Sequence, residues 1–245
     1  MEQIQTLPKC RTGIPELDNI LRGGIPIGST VLVVGSSGSG KTTLCMQFLI
    51  NGAKAGEKGV FFTITEPLFK LTKNLENYEF YDPYLVDSGI LHLVDLRIIC
   101  ERMGLQTDKY TFEDASALLD VLKDIANELK VKRLVIDSIT ALCYRLQTKE
   151  MIRDFIFKLG SFLATIDCTT LLTSEVPPRT LQYSLYGIEE FISDGIIFLG
   201  DMERGGDLVR TLQVVKMRGT EHTRTKYAMQ ITPKGISLSP LLKTK

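Results

Sequence analysis

Apolar positions along the chain follow two alternating rhythms. Short runs rich in β-branched and aromatic residues occur at 30–34, 60–65, 90–94, 133–136, 169–173, 195–199, 209–216 and 226–231, and each predicts a strand. Between them apolar residues recur every three or four positions. Ala115, Leu118, Leu119, Leu122, Ile125, Ala126 and Leu129 form one such face, and Ile152, Phe155, Ile156, Leu159, Leu163 and Ile166 another. Both predict helices with one side in the core. A further helix is expected over 43–55, and a short one opens near Pro15, before Gly23-Gly24-Ile25-Pro26-Ile27-Gly28 turns the chain into the first long strand. Residues 96–111 are the least regular, with Arg97, Glu101, Arg102, Asp108 and Lys109 spread among them, and are expected to form a surface loop.

Strand and helix alternate through the first two-thirds, which implies a parallel sheet with right-handed crossovers. The last third switches to strands joined by short turns such as Arg204-Gly205-Gly206, an antiparallel pattern. The expected fold is therefore a three-layer α/β structure, with a mainly parallel central sheet and C-terminal antiparallel strands. With 245 residues, 44% of them hydrophobic, and no shift in composition, one domain over 1–245 is expected. Residues 1–9 lack an apolar leader core and no run of about 18 apolar residues occurs, so a cytoplasmic protein without membrane attachment is expected. Cys10, Cys45, Cys100, Cys143 and Cys168 are odd in number, scattered and without a C-x-x-C pair, which suits buried reduced thiols. With only His92 and His222 as imidazoles, a zinc site has no support. The formal net charge of +0 removes any global attraction to phosphate polymers.

The chemistry begins where the first long strand ends. Gly35-Ser36-Ser37-Gly38-Ser39-Gly40-Lys41-Thr42 fits G-x-x-x-x-G-K-[ST], directly after an apolar strand and before a helix, the context of a phosphate-binding loop. Glycines let successive backbone N–H groups turn toward one anion, and the helix adds the positive end of its dipole. Lys41 supplies a cation for β- and γ-phosphates, Thr42 a hydroxyl for Mg²⁺, and Thr43 continues the cradle.

In an open parallel sheet, ligands sit beyond the carboxyl ends of the strands, so polar residues that stop apolar strands are candidates. Asp137 follows Leu134-Val135-Ile136 and is placed to hold Mg²⁺ through its water shell, or alternatively to cap the next helix. Glu66 ends another strand and is the candidate general base, with a helix-entry role as its alternative. Glu175, after Thr173-Ser174, is placed to sense a γ-phosphate or simply to end its strand. Lys216 and Arg218 stand two apart and leave a strand on the same side; a guanidinium suits charge spread over phosphoryl oxygens, although such a pair is also an ordinary solvated face.

Together these segments resemble the KaiC-domain proteins of the RecA-like ATPases, from about residue 11 to 238. The likeness rests on Thr12-Gly13-Ile14-Pro15-Glu16-Leu17-Asp18, on Gly23-Gly24-Ile25-Pro26-Ile27-Gly28, on Gly187-Ile188-Glu189-Glu190-Phe191-Ile192-Ser193-Asp194, and on Lys216-Met217-Arg218-Gly219-Thr220. The resemblance implies a RecA-type sheet, ATP with Mg²⁺ at subunit interfaces of a ring, commonly a hexamer, and Lys216, Arg218 and His222 reaching the neighbour's nucleotide. Two departures stand out. Many relatives carry adjacent glutamates where this chain has Thr65-Glu66, so hydrolysis is expected to be slow or impaired. The phosphorylated Ser-Thr pair of one clock-protein domain falls at Glu190-Phe191, and no tandem second domain is present, so a role in timing is not expected.

Three functions compete on this footing: a ring ATPase coupled to a protein regulator, a single-stranded DNA-binding accessory, and a nucleotide-gated switch that hydrolyses rarely. DNA binding would use the loops 141–149 and 176–187, with Tyr144, Arg145, Lys149, Arg179, Tyr183 and Tyr186, and is disfavoured by the neutral charge. A small-molecule kinase lacks an Arg-rich lid segment.

Overall fold

The computed structural model describes residues 7–105, 109–180 and 182–241. Along the chain these form β1 (Lys9–Cys10), α1 (Pro15–Ile20), β2 (Ile25–Pro26), β3 (Thr30–Gly35), α2 (Lys41–Lys54), β4 (Gly59–Thr63), α3 (Leu68–Leu75), α4 (Tyr84–Asp87), β5 (Leu91–Asp95), α5 (Leu96–Arg102) and α6 (Phe112–Leu129). There follow β6 (Arg133–Asp137), α7 (Ile139–Tyr144), α8 (Lys149–Leu163), β7 (Thr169–Glu175), α9 (Glu189–Ile192), β8 (Gly195–Arg204), β9 (Asp207–Met217), β10 (Lys226–Thr232) and β11 (Gly235–Pro240).

Nine strands make one sheet in the order β11-β10-β9-β8-β3-β7-β6-β4-β5. From β5 to β8 all neighbours run parallel, and β9, β10 and β11 continue the sheet antiparallel. The inner parallel strands β3, β4, β6 and β7 are buried on both sides because both faces are covered, whereas the edge strand β5 is half-buried in its middle. Leu32, Val34, Phe62, Ile136 and Leu172 pack beneath α6, α7 and α8, whereas Val31, Val33, Phe61, Val135 and Leu171 pack against α1 and α2. This is the three-layer architecture that the alternation predicts, with β3 at its centre and entirely buried.

The differences lie at element ends and in short segments. The region expected as a surface loop over 96–111 instead opens with α5, because Asp95 caps it through Arg97 N and Leu96 and Cys100, four apart, are both buried. Tyr110 is also buried, its hydroxyl donating to Cys100 Sγ, while Asp108 lies outside the described residues. The β8–β9 hairpin is longer than expected. Its two-residue turn, Gly205-Gly206, has both φ angles positive (60° and 88°), which suits the right-handed twist of the flanking strands and carries pairing out to Arg204 and Asp207. β11 was not expected, since Gly235-Ile236-Ser237-Leu238 alternates over too few residues to stand out; Gln47 of α2 holds it by accepting from Ile236 N at 2.9 Å. All five cysteines are free and buried.

Candidate functional site

Four carboxyl-terminal strand ends lie side by side on one edge of the sheet. Thr63 of β4 is in register with Asp137 of β6, Ile136 of β6 with Leu172 of β7, and Glu175 of β7 with Gly35 of β3. Glu66, Asp137, Thr173 to Glu175 and the loop after Gly35 therefore share one edge.

The loop is shaped by what it cannot contain. A Cβ on Gly35 would come within 2.5 Å of Leu199 O and of Ser39 Oγ, and Gly40 takes a φ of 101° to start α2. Gly38, at φ 77°, has open space where a Cβ would stand. Ser36 is half-buried and Ser37 exposed, and the Ser36 carbonyl accepts from Ser39 N. Ser39 is buried with its hydroxyl unpartnered.

Lys41 is the principal cation of this loop and is 6% exposed. Its ammonium donates to Gly35 O and Ser36 O, both at 2.9 Å, and lies 3.9 Å from Glu175 Oε1. Desolvation pulls its pKa below the ordinary lysine value, and the nearby carboxylates of Glu175 and Asp137 oppose that shift. A buried ammonium resting on two neutral carbonyls is poised to exchange them for an anion.

Asp137 receives two hydroxyls, Thr42 Oγ1 at 2.7 Å and Thr173 Oγ1 at 2.5 Å. Among the described residues it has no salt-bridge partner. Its alternative role as a helix cap falls to Ser138, whose Oγ accepts from Ala141 N to start α7. A hydroxyl beside a carboxylate that has no salt-bridge partner among the described residues is a hard-oxygen donor set that fits Mg²⁺, and the helix N-terminus, the buried ammonium and the open space at Gly38 fit a polyphosphate.

Glu66 is half-buried and faces a cavity of about 290 Å³ between α2 and α3, which Thr42 and Thr43 also line. Asn74 Nδ2 donates to Glu66 Oε1 at 3.0 Å. Thr43 Oγ1 lies 3.4 Å from the Tyr78 hydroxyl across the same cavity.

The second group of candidates is elsewhere. Gly195 pairs with Val31 on one side and with Met217 on the other, so Lys216 and Arg218 lie near the amino-terminal end of β3. Four residues of β3 separate that register from Gly35, roughly 13 Å at about 3.3 Å per residue, with the loop further still. Lys216 Nζ donates to Glu190 O (3.1 Å) and Ser193 O (2.6 Å), and burial lowers its pKa with help from the adjacent Arg218. Arg218 is exposed and reaches Asp194 Oδ1 at 3.3 Å. His222 places Nδ1 3.4 Å from Thr220 O. Within one chain these three residues do not meet the loop.

One residue escaped the sequence reading. Arg210, in the middle of β9, donates from Nε to Gly38 O at 3.2 Å and so touches the loop from its own chain. Nothing in its sequence neighbourhood marks it, because the contact follows from the β3-β8-β9 pairing. The loops proposed for DNA fare less well. Arg145 is engaged with the Tyr110 hydroxyl and Tyr183 packs edge-on against Phe198, leaving Tyr144, Lys149 and Arg179 exposed.

Comparison with known proteins gives the family and the fold. The family model described as "ATPase: KaiC" matches residues 10–243. The chain is 36% identical to a UPF0273 protein of Thermotoga maritima, over 96% of this chain and 97% of that one. It is 34% identical to the circadian clock oscillator protein KaiC of Parathermosynechococcus lividus over 98% of this chain, but spans only 44% of that protein. Among solved structures, the KaiC-like protein PH0186 of Pyrococcus horikoshii OT3 superimposes with a TM-score of 0.83 at 34% identity, covering 96% of this chain and all of that one. A family model that spans almost the whole chain, a relative 36% identical along nearly its full length and a solved structure with the same fold place the chain in the KaiC family of ATPase domains.

Proposed function

We propose that the chain is a Mg²⁺-dependent ATPase that assembles into a ring, a hexamer by family resemblance, with each site completed by a neighbouring copy. The observation that carries this reading is the distance between Lys41 and the Lys216–Arg218 segment, which lie toward opposite ends of one sheet. Cations suited to phosphoryl oxygens but remote from their own loop serve a loop on another copy.

In this account the backbone N–H groups from Gly38 to Thr42 and the start of α2 bind the phosphates. Lys41 leaves the Gly35 and Ser36 carbonyls for the β- and γ-phosphates. Thr42 and Asp137 would hold Mg²⁺, which supplies charge neutralisation on the phosphate oxygens. Glu66 accepts a proton from the water that attacks the γ-phosphorus, the bond to the β–γ bridging oxygen breaks, and ADP and phosphate form. Arg218 and Lys216 of the adjoining copy, released from Asp194 and from the Glu190 and Ser193 carbonyls, stabilise the charge that develops; such cations contribute about 10³ to 10⁵ in rate. Exposed Phe69 on α3, three residues past Glu66, offers a protein regulator a surface next to the base.

Mass measurement with and without Mg²⁺ and ATP, combined with turnover at several protein concentrations, tests the proposal. Assembly that depends on nucleotide, specific activity that rises with concentration, and a loss of about 10³ in Arg218→Ala with ATP binding retained are the expected results. Specific activity independent of concentration, and unaffected by that substitution, contradicts it. The slow-switch reading draws on exposed Thr65 beside Glu66, where a second carboxylate would stand. Steady-state phosphate release close to that of Glu66→Gln would favour the switch.

A further inference from the structure

Among the described residues, one side chain alone is hydrogen-bonded to the Glu66 carboxylate, and it comes from the helix that follows. α3 starts directly after Glu66-Pro67, with Pro67 as its N-cap residue. Leu71 and Leu75, each 2% exposed, fix the helix against the core on the α2 side of the sheet. Asn74 stands three residues after Leu71, so it lies on the same side of the helix and reaches back to Glu66 Oε1 at 3.0 Å. Asn77 closes the helix end, donating to Lys73 O (3.3 Å) and Asn74 O (3.2 Å), which restrains the backbone that carries Asn74.

We infer that Asn74 is a positioning residue for hydrolysis: its amide fixes one oxygen of Glu66 and leaves the other for the attacking water in the cavity shared with Thr42 and Thr43. This rests on Glu66 being the base. The choice of side chain is chemically apt. An unrestrained glutamate samples many rotamers, and a donor narrows that choice even where, as here, Asn74 is exposed. A lysine or arginine in the same place would favour the charged carboxylate strongly and weaken it as a base, whereas a neutral amide orients it with a smaller effect. Thr65 precedes Glu66, so no adjacent carboxylate shares the task. Asn74 lines the same cavity, and the role assigned to it is exerted through its bond to Glu66.

The test is a double-substitution cycle in the full chain. Wild type, Asn74→Ala, Glu66→Gln and the double variant are compared for kcat and KM with Mg²⁺ and ATP, with thermal unfolding recorded for each. Asn74→Ala is expected to lower kcat on the order of tenfold, the scale of one hydrogen bond to a charged group, with KM unchanged. Glu66→Gln should lower kcat by about 10² or more, and the double variant should be no slower than Glu66→Gln alone. Asn74→Asp, the same shape without the donor, should lose at least as much as Asn74→Ala and serves if the alanine variant folds poorly. Wild-type kcat in both Asn74 variants, a change confined to KM, or losses that multiply in the double variant overturn the inference and leave Glu66 as the base. A Glu66→Gln enzyme that turns over at the wild-type rate removes the base, and the positioning role with it.

Discussion

Replacing Asp137 by Asn isolates the charge at the centre of the site while keeping its shape. The two hydroxyls that Asp137 accepts, from Thr42 at 2.7 Å and Thr173 at 2.5 Å, can re-pair with an amide, one donating to Oδ1 and the other accepting from Nδ2. No ion pair is lost among the described residues, although Lys41 loses a favourable charge nearby. The nucleotide-free protein should therefore keep its stability to within about 1 kcal/mol, or a few degrees in Tm. The ligand-linked part behaves differently. At a nucleotide concentration near 100 times Kd, wild type should gain about 2.7 kcal/mol, which corresponds to about 5–10 °C for a chain of this size. Weakening the site by about 10- to 100-fold removes about half to about 85% of that gain. Thermal unfolding with ATP alone, and with ATP and Mg²⁺, reads both quantities. A variant that has lost several kcal/mol without nucleotide would make Asp137 a structural residue, and a full Mg²⁺-dependent shift would remove it from the metal site.

Three further outcomes follow from individual contacts. Arg210→Ala removes the Nε bond to Gly38 O, an exposed contact, and should raise KM for ATP by roughly fivefold with kcat retained, an effect of about 1 kcal/mol that steady-state kinetics will register. Gly35→Ala forces a methyl group to within 2.5 Å of Leu199 O, so overpacking of about 1–3 kcal/mol and loss of ATP binding are expected in thermal and equilibrium-binding assays. Asp95 caps α5 and pairs with Arg97, whose side chain holds the Asp95 carboxyl below the usual carboxylate range. Its contribution is therefore present above that range and is lost as pH falls below it and through the lowered value, so Asp95→Ala should cost about 1 kcal/mol near neutrality, and the gap from wild type should close only in acid below the usual carboxylate range.

Much of this organisation is legible in the sequence because local chemistry and fold agree. The inner parallel strands β3, β4, β6 and β7 are buried on both faces and stand out as β-branched and apolar runs, and the glycines of residues 35–40 have conformational and steric reasons to be there. Asp137, Glu66 and Glu175 are candidates by one rule, that chemistry gathers where apolar strands stop, and the register of β4, β6, β7 and β3 brings those strand ends to one edge. What escaped depends on pairing between distant segments. Arg210 meets Gly38 only because β9 lies two strands from β3, and the Asn74 bond to Glu66 depends on the length of α3. α5 was hidden by its charged exposed face, although Leu96 and Cys100 carry a helical spacing. Lys216 and Arg218 were legible as residues but not as a location, since their separation from Lys41 follows from the antiparallel return of β9.

The proposal of a composite site is tested most directly by mixing two defective chains. Lys41→Ala lacks the ammonium of the loop and Arg218→Ala lacks the cation offered to a neighbour, so each alone should be nearly inactive. Co-assembled at equal amounts, about a quarter of the interfaces join an intact loop to an intact Arg218, and turnover should return to roughly that fraction of wild type. A mixture no more active than its two components measured apart, under conditions where mass measurement shows mixed assemblies, would contradict the account.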